Sequence, residues 1–239
     1  MAVQVTKYSR RLEVLGSMQL RQDGLCTSLR GLKRKELLAL LLEARLRGRG
    51  EVTALDLCDA LYPLESEEAA LGALRATVFK IRSSLGATFI TTTPNGYALG
   101  AVASDAEAFL QGGDTNLWRG PYLEDIPLEG RDENVADVLS RALEARIEVL
   151  LEANAPTDLE EAVRLSHLRV RAEPFELGAL ALACRALEAR GNRKALERLY
   201  SEARTRMLEV GEVLPEGCAA FLETHSGAGV ARVGAEASR

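Results

Sequence analysis

Between Ser66 and Gly86, the residues Leu71, Leu74, Val78, Ile81 and Leu85 step by 3, 4, 3 and 4. A strand cannot hold such a series on one side, because its side chains alternate faces with a period of two. A helix gathers all five into one apolar seam that must lie against a core. Ser66 or Glu67 opens this helix and Gly86 stops it. At 100° per residue, the side opposite the seam centres on Gly72, Ala73, Ala76, Lys80 and Ser83. Arg75, Phe79 and Arg82 lie on one flank and Thr77 on the other. Small residues with a cation among them let a helix backbone approach a groove floor closely. Lys80 then reaches phosphates or base edges, and Ala76 meets a thymine methyl. A merely solvated helix face is the plainer reading of the same residues.

The residues around this helix give it a setting. Arg11–Leu15 and Ser17–Arg21 alternate apolar and polar residues around Gly16, and Asp23-Gly24 supplies a tight turn before Leu25–Leu29. That pattern reads as a small antiparallel sheet. From Lys33 the period changes, and Leu37, Leu38, Leu41, Leu42 and Leu46 repeat at helical spacing until Gly48-Arg49-Gly50. Thr53 caps a second helix carrying Leu55, Leu57, Cys58 and Leu61, which Pro63 terminates for want of an amide donor. After Gly86, Thr88–Thr93 and Tyr97–Leu99 flank the turn signal Pro94-Asn95-Gly96, so a hairpin follows. A sheet, three helices and a hairpin make a winged helix.

The rest of the chain is helical in pattern. Apolar periodicity marks helices over 135–152, 159–171, 175–190 and 195–209, punctuated by Pro156, Pro174 and Gly191. Antiparallel pairs of this length stack into a solenoid whose surface receives partner proteins. The expected fold class is therefore mostly α: an N-terminal α+β winged helix followed by an all-α helical-repeat domain. Arg190-Gly191-Asn192 reads as a helix stop, Tyr200 as packing, and the Gly- and Ala-rich stretch over 223–239 as a disordered tail.

Charge is divided unevenly. Residues 1–101 hold 14 Lys and Arg against 10 Asp and Glu, net +4, whereas residues 102–239 hold 16 against 25, net -9. A basic first part joined to an acidic second part points to different partners, the first a polyanion. Cys26, Cys58, Cys184 and Cys218 lie far apart, with only His167 and His225 to accompany them. That spacing makes neither a zinc site nor a disulfide framework, so the cysteines read as small buried hydrophobes in a reducing cytoplasm. No Gly-rich phosphate loop, nucleophile elbow or His-Glu-x-x-His motif appears, and neither histidine has a nucleophile or carboxylate partner at informative spacing. Neither enzyme activity nor a cofactor is expected. The longest apolar run, Leu37–Leu42, is too short for a bilayer, and Met1-Ala2-Val3-Gln4 is no secretion leader, so no membrane association is expected.

Val78-Phe79-Lys80-Ile81-Arg82-Ser83-Ser84-Leu85-Gly86, followed by Ile90, Thr92 and Asn95-Gly96-Tyr97, resembles the OmpR-type winged-helix DNA-binding domain over residues 8–101. Ser104–Phe109 with Leu117-Trp118-Arg119-Gly120-Pro121 is similar to the start of the bacterial transcriptional activator domain, built from TPR-like helical pairs, over residues 102–222. The two in this order, with no receiver domain ahead of them, resemble the Streptomyces antibiotic regulatory protein family of activators.

The resemblance implies a cytoplasmic regulator that binds double-stranded DNA, an activator rather than a repressor, with helix 66–85 in the major groove. It also implies a helical domain that contacts RNA polymerase or another regulatory protein, or self-associates. The residues expected at DNA are Gly72, Arg75, Ala76, Thr77, Phe79, Lys80, Arg82 and Ser83 from that helix, and Thr92, Thr93 and Asn95 from the wing. Lys33, Arg34 and Lys35 join them; at a helix start they oppose the dipole unless solvated or offset by an anion. Ser83 and Ser84 stand where the family usually has arginines, so few phosphates are neutralised and homodimers on repeated half-sites are favoured. Trp118 reads as a packing anchor between the two domains. Residues 1–101 alone are expected to retain DNA contact. The rival reading is a protein-interaction adaptor whose winged helix has lost DNA binding, favoured by the net charge of -5 and the missing arginines.

Overall fold

Arg10–Glu13 (β1) and Gln19–Gln22 (β2) pair antiparallel with Leu12 opposite Leu20. Leu25–Ser28 (β3) joins β2 through a turn in which Asp23 and Gly24 take φ of 50° and 83°. Two left-handed residues in succession match the twist of a two-residue hairpin, and Asp-Gly accepts them at low cost. Leu12 and Leu20 face the core, but all of β3 is exposed, so Cys26 is an exposed thiol rather than the buried hydrophobe expected. The structure, a computed structural model, describes residues 10–127 and 133–225. The first two residues of the expected 8–101 domain, and residues 226–239 of the expected 223–239 tail, lie outside the described residues; residues 223–225, expected in that disordered tail, are helical instead.

Leu32–Leu46 (α1) buries Leu37, Leu38, Leu41 and Leu42. Val52–Thr53 (β4) leads into Ala54–Leu61 (α2), where the Asp56 amide donates to Thr53 Oγ1 at 3.1 Å, the expected cap. Ser66 likewise caps Glu67–Leu85 (α3), and Gly86 at φ 110° ends it. The buried side of α3 is Ala70, Leu74, Thr77, Val78 and Ile81. Each buried Leu, Val or Ile side chain is worth roughly 1.5–3 kcal/mol, which fixes the helix in rotation as well as position. Ile90–Thr92 (β5) and Gly96–Leu99 (β6) form the hairpin, with Thr92 opposite Tyr97, in a sheet of order β4-β6-β5. Gly96 is required there because a Cβ would stand 2.0 Å from the Val52 carbonyl oxygen.

The packing of this unit continues past Ala101. Ala103–Ser104 (β7) pairs parallel to β1, giving the first sheet the order β3-β2-β1-β7. Asp105–Gly112 (α4) follows with a reciprocal capping box between Ser104 and Glu107. The Asp105 carboxylate, 1% exposed, accepts the amides of Val14 (2.8 Å) and Leu15 (3.1 Å). Asp125 accepts the Met18 amide at 2.8 Å. Trp118 is buried and meets Phe109 edge-on at 5.4 Å, so the anchor expected between domains packs within this unit. Residues 102–126, expected to begin a second domain, are therefore built onto the first sheet; the compact unit runs to Leu139.

In the second unit, Ser140–Arg239, the regular elements among the described residues are all helices. The division falls inside Glu133–Ala153 (α5), followed by Pro156–Ala172 (α6), Leu177–Ala189 (α7), Arg193–Glu209 (α8) and Cys218–His225 (α9). Pro156 sits in the first turn of α6, where a missing amide costs nothing. α7 is apolar on nearly every side and buries Ala179–Leu187 except Arg185, which fits a helix enclosed by its neighbours α6, α8 and α9. Arg169 and Arg185 tie α6 and α7 back to α5 through Glu144 (2.7 Å) and Glu148 (2.6 Å). Tyr200 packs as expected, on Phe221 at 5.4 Å, with its hydroxyl donating to the Pro215 carbonyl at 2.9 Å. α9 was not legible in the sequence as a helix. The chain as a whole is mostly helical, a winged helix followed by a helical domain, as the periodicities require.

Candidate nucleic-acid interface

The buried residues of α3 set the direction of its other side. Gly72, Arg75, Ala76, Phe79, Lys80 and Ser83 are all exposed. Gly72, Ala76, Phe79 and Ser83 form one stripe along the axis, with Arg75 on one side and Lys80 on the other. Compared with the face expected from the seam, this one is turned by about a third of a 100° residue step, which brings Phe79 from the flank to the centre. The turn arises because Ala70 and Thr77 enter the core while Leu71 and Leu85 are only half-buried. Thr77, expected on the flank of the outer face, is 7% exposed, its hydroxyl 2.8 Å from that of Tyr62. That partner removes the cost of burying its oxygen.

Arg82 is also committed internally. Its Nε and Nη2 donate to the Ile90 carbonyl at 3.0 and 2.9 Å, and Nη2 to Thr92 Oγ1 at 2.8 Å. The guanidinium thus fastens the wing strand β5 to the last turn of α3 and fixes the angle between them. At the wing tip, Thr93 Oγ1 accepts the Gly96 amide (3.1 Å) and Asn95 Nδ2 donates to Glu51 Oε1 (3.1 Å). Hydrogen bonds from Thr93 and Asn95 hold the Glu51 carboxyl below its ordinary pKa. The tip therefore carries a stable negative charge beside two residues expected at phosphates.

The basic start of α1 has its own partners. Lys33 Nζ lies 3.0 Å from Glu36 and 5.7 Å from the centre of the Tyr62 ring, and Tyr62 in turn meets Thr77 of α3. Arg34 folds its guanidinium over Gly31. Lys35 is ion-paired with Asp125, so internal carboxylates, Glu36 and Asp125, offset two of the three cations at this helix start. Burial opposes the Asp125 charge, but the Lys35 and Met18 hydrogen bonds prevail and hold its pKa below the ordinary value. Through Tyr62 the fold brings Lys33 beside α3; Lys35 it withdraws into an ion pair.

The remaining chemical groups are structural in their contacts. His167 Nδ1 donates to the Val163 carbonyl at 2.8 Å, and His225 stacks on Phe221 at 4.3 Å. Burial pushes up the thiol pKa of Cys58, Cys184 and Cys218, which suppresses the thiolate form. Among the described residues, no three His, Cys, Asp or Glu side chains converge to hold a metal ion, and no helix is long and apolar enough to cross a membrane.

No family model matches the chain, and no curated protein matches it by sequence. Among solved structures, Mycobacterium tuberculosis EmbR, determined in complex with a low-affinity phosphopeptide, is similar to it with a TM-score of 0.53 at 17% identity. The likeness covers 91% of this chain and 65% of EmbR, and what it shows is a shared fold.

Proposed function

We propose that the chain is a sequence-specific DNA-binding transcriptional regulator that reads the major groove with α3 and lays its wing alongside. One observation carries this reading: a helix presenting Arg75, Phe79 and Lys80 outward is clamped by Arg82 to a hairpin at its end. A rigid helix and hairpin at a fixed angle suit a groove and the backbone beside it. The chain's resemblance to antibiotic regulatory proteins favours activation, in the cytoplasm, with the OmpR-type module over residues 8–101 and TPR-like pairs over 102–222. The second unit then offers its surface to RNA polymerase, to another regulatory protein or to a second copy.

Gel shifts on selected genomic fragments over a salt series test the reading. Affinity is expected to fall with salt and to fall further in Lys80→Ala, whose salt slope flattens by about one. The adaptor reading draws on Glu51 at the wing tip and on the commitment of Lys35 and Arg82 to internal partners. Wild type and Lys80→Ala equally inert on every fragment would decide for the adaptor.

A further inference from the structure

Phe79 is 71% exposed at the centre of the outer face of α3. Along the axis its neighbours are Gly72, Ala76 and Ser83, none large enough to shield a phenyl ring. No other ring among the described residues lies against it. The ring therefore fills no core, stands proud of its stripe, and meets first whatever the helix approaches. An exposed large apolar side chain set between two cations is more informative than the cations themselves. On the floor of a major groove, purine edges and cytosine present donors and acceptors that a phenyl ring would strip of water without replacing it. The thymine 5-methyl is the apolar feature there.

We infer that Phe79 is the specificity-determining residue of this face and reads the 5-methyl group of a thymine in double-stranded DNA. This rests on the DNA-binding reading above and adds to it the chemistry that is read. Arg75 and Lys80 flank the ring and take phosphates or guanine edges.

The test uses the full chain and duplexes that it enriches from a random-sequence pool. Thymidine is replaced by deoxyuridine one position at a time, which removes the methyl and leaves base pairing intact. Wild type is expected to lose about fourfold in affinity at one or two positions, the transfer value of one methyl. Phe79→Ser is expected to melt like wild type, being altered at an exposed site, and to bind thymidine and deoxyuridine duplexes alike. Phe79→Leu is expected to keep part of the preference. Discrimination retained by Phe79→Ser, or wild-type binding indifferent to uridine at every position, overturns this inference and leaves DNA binding standing. Enrichment of no duplex at all overturns both.

Discussion

At Gly72 a Cβ would meet nothing within 4 Å, and the residue lies inside α3. Gly72→Ala is therefore expected to stabilise the chain by about 1 kcal/mol through helix propensity alone, read as a melting rise of roughly 2–4 °C. The same methyl stands on the outward stripe, so on the proposed reading DNA affinity falls as stability rises; unchanged affinity would mean that the helix does not approach closely there. Two carboxyls of the same unit determine its response to acid. For Glu13, burial is opposed by Arg21 and Gln19 hydrogen bonds and by the Arg119 charge, and the pKa is lowered; Asp125 is lowered through Lys35. A lowered folded pKa gives stability that is complete above the ordinary carboxylate value and disappears as pH falls through the folded value. Asp105 has the opposite sign, since burial raises its pKa and its ionised form is the costly one. Thermal melts should therefore fall off below about pH 4, and Glu13→Gln should flatten that fall.

The wing and α3 work as one element only while Arg82 joins them. Arg82→Ala is expected to weaken DNA binding severalfold with an unchanged salt slope, because a side chain that positions a strand releases no counterion; Lys80→Ala should lose about one unit of slope. Gly96→Ala acts on the same hairpin from its other side. Its Cβ would stand 2.0 Å from the Val52 carbonyl oxygen, forcing β4 from β6 at an expected cost of about 1–3 kcal/mol in denaturant unfolding. Much at this scale was legible. Thr53 and Ser66 announce their caps, Asp23-Gly24 its turn, and the leucine spacing the three helices, because local backbone chemistry decides all of these. The rotation of α3 was not. It depends on Thr77 finding the Tyr62 hydroxyl, a pairing across fifteen residues that no local period encodes. A seam stepping 3.5 on average also drifts along a helix of 3.6 residues per turn, which carries Leu71 and Leu85 away from the core's centre. The commitments of Lys35 and Arg82 were hidden for the same reason: their partners Asp125 and Ile90 are set by tertiary contact.

Over the whole molecule, the charge contrast in the sequence changes meaning once residues 102–139 belong with the sheet. Residues 1–139 hold 16 Lys and Arg against 19 Asp and Glu, net -3, so the +4 of residues 1–101 does not describe the folded unit. The acidic residues that reverse the sign include Asp105 and Asp125, which do structural work at the amides of Val14, Leu15 and Met18. Cutting the chain at Ala101 deprives these three amides of their acceptors, at about 1–3 kcal/mol each, and strips β7 from β1. That loss takes up much of the 5–15 kcal/mol that holds a typical domain together. Residues 1–101, expected from sequence to keep DNA contact alone, should therefore fail to melt cooperatively, whereas residues 1–139 should. A net-negative unit also lacks long-range attraction for DNA, leaving binding to the few cations of the face. Among the described residues, Arg75 and Lys80 are the exposed α3 cations, Arg82 being held by its hydrogen bonds to the wing, and each phosphate neutralised contributes about -0.9 to the slope of log affinity against log salt. One protomer should thus give a slope near -2, too shallow for tight binding at physiological salt. Repeated half-sites occupied by two copies should give a slope near -4, with cooperative gel shifts that disappear when one half-site is scrambled.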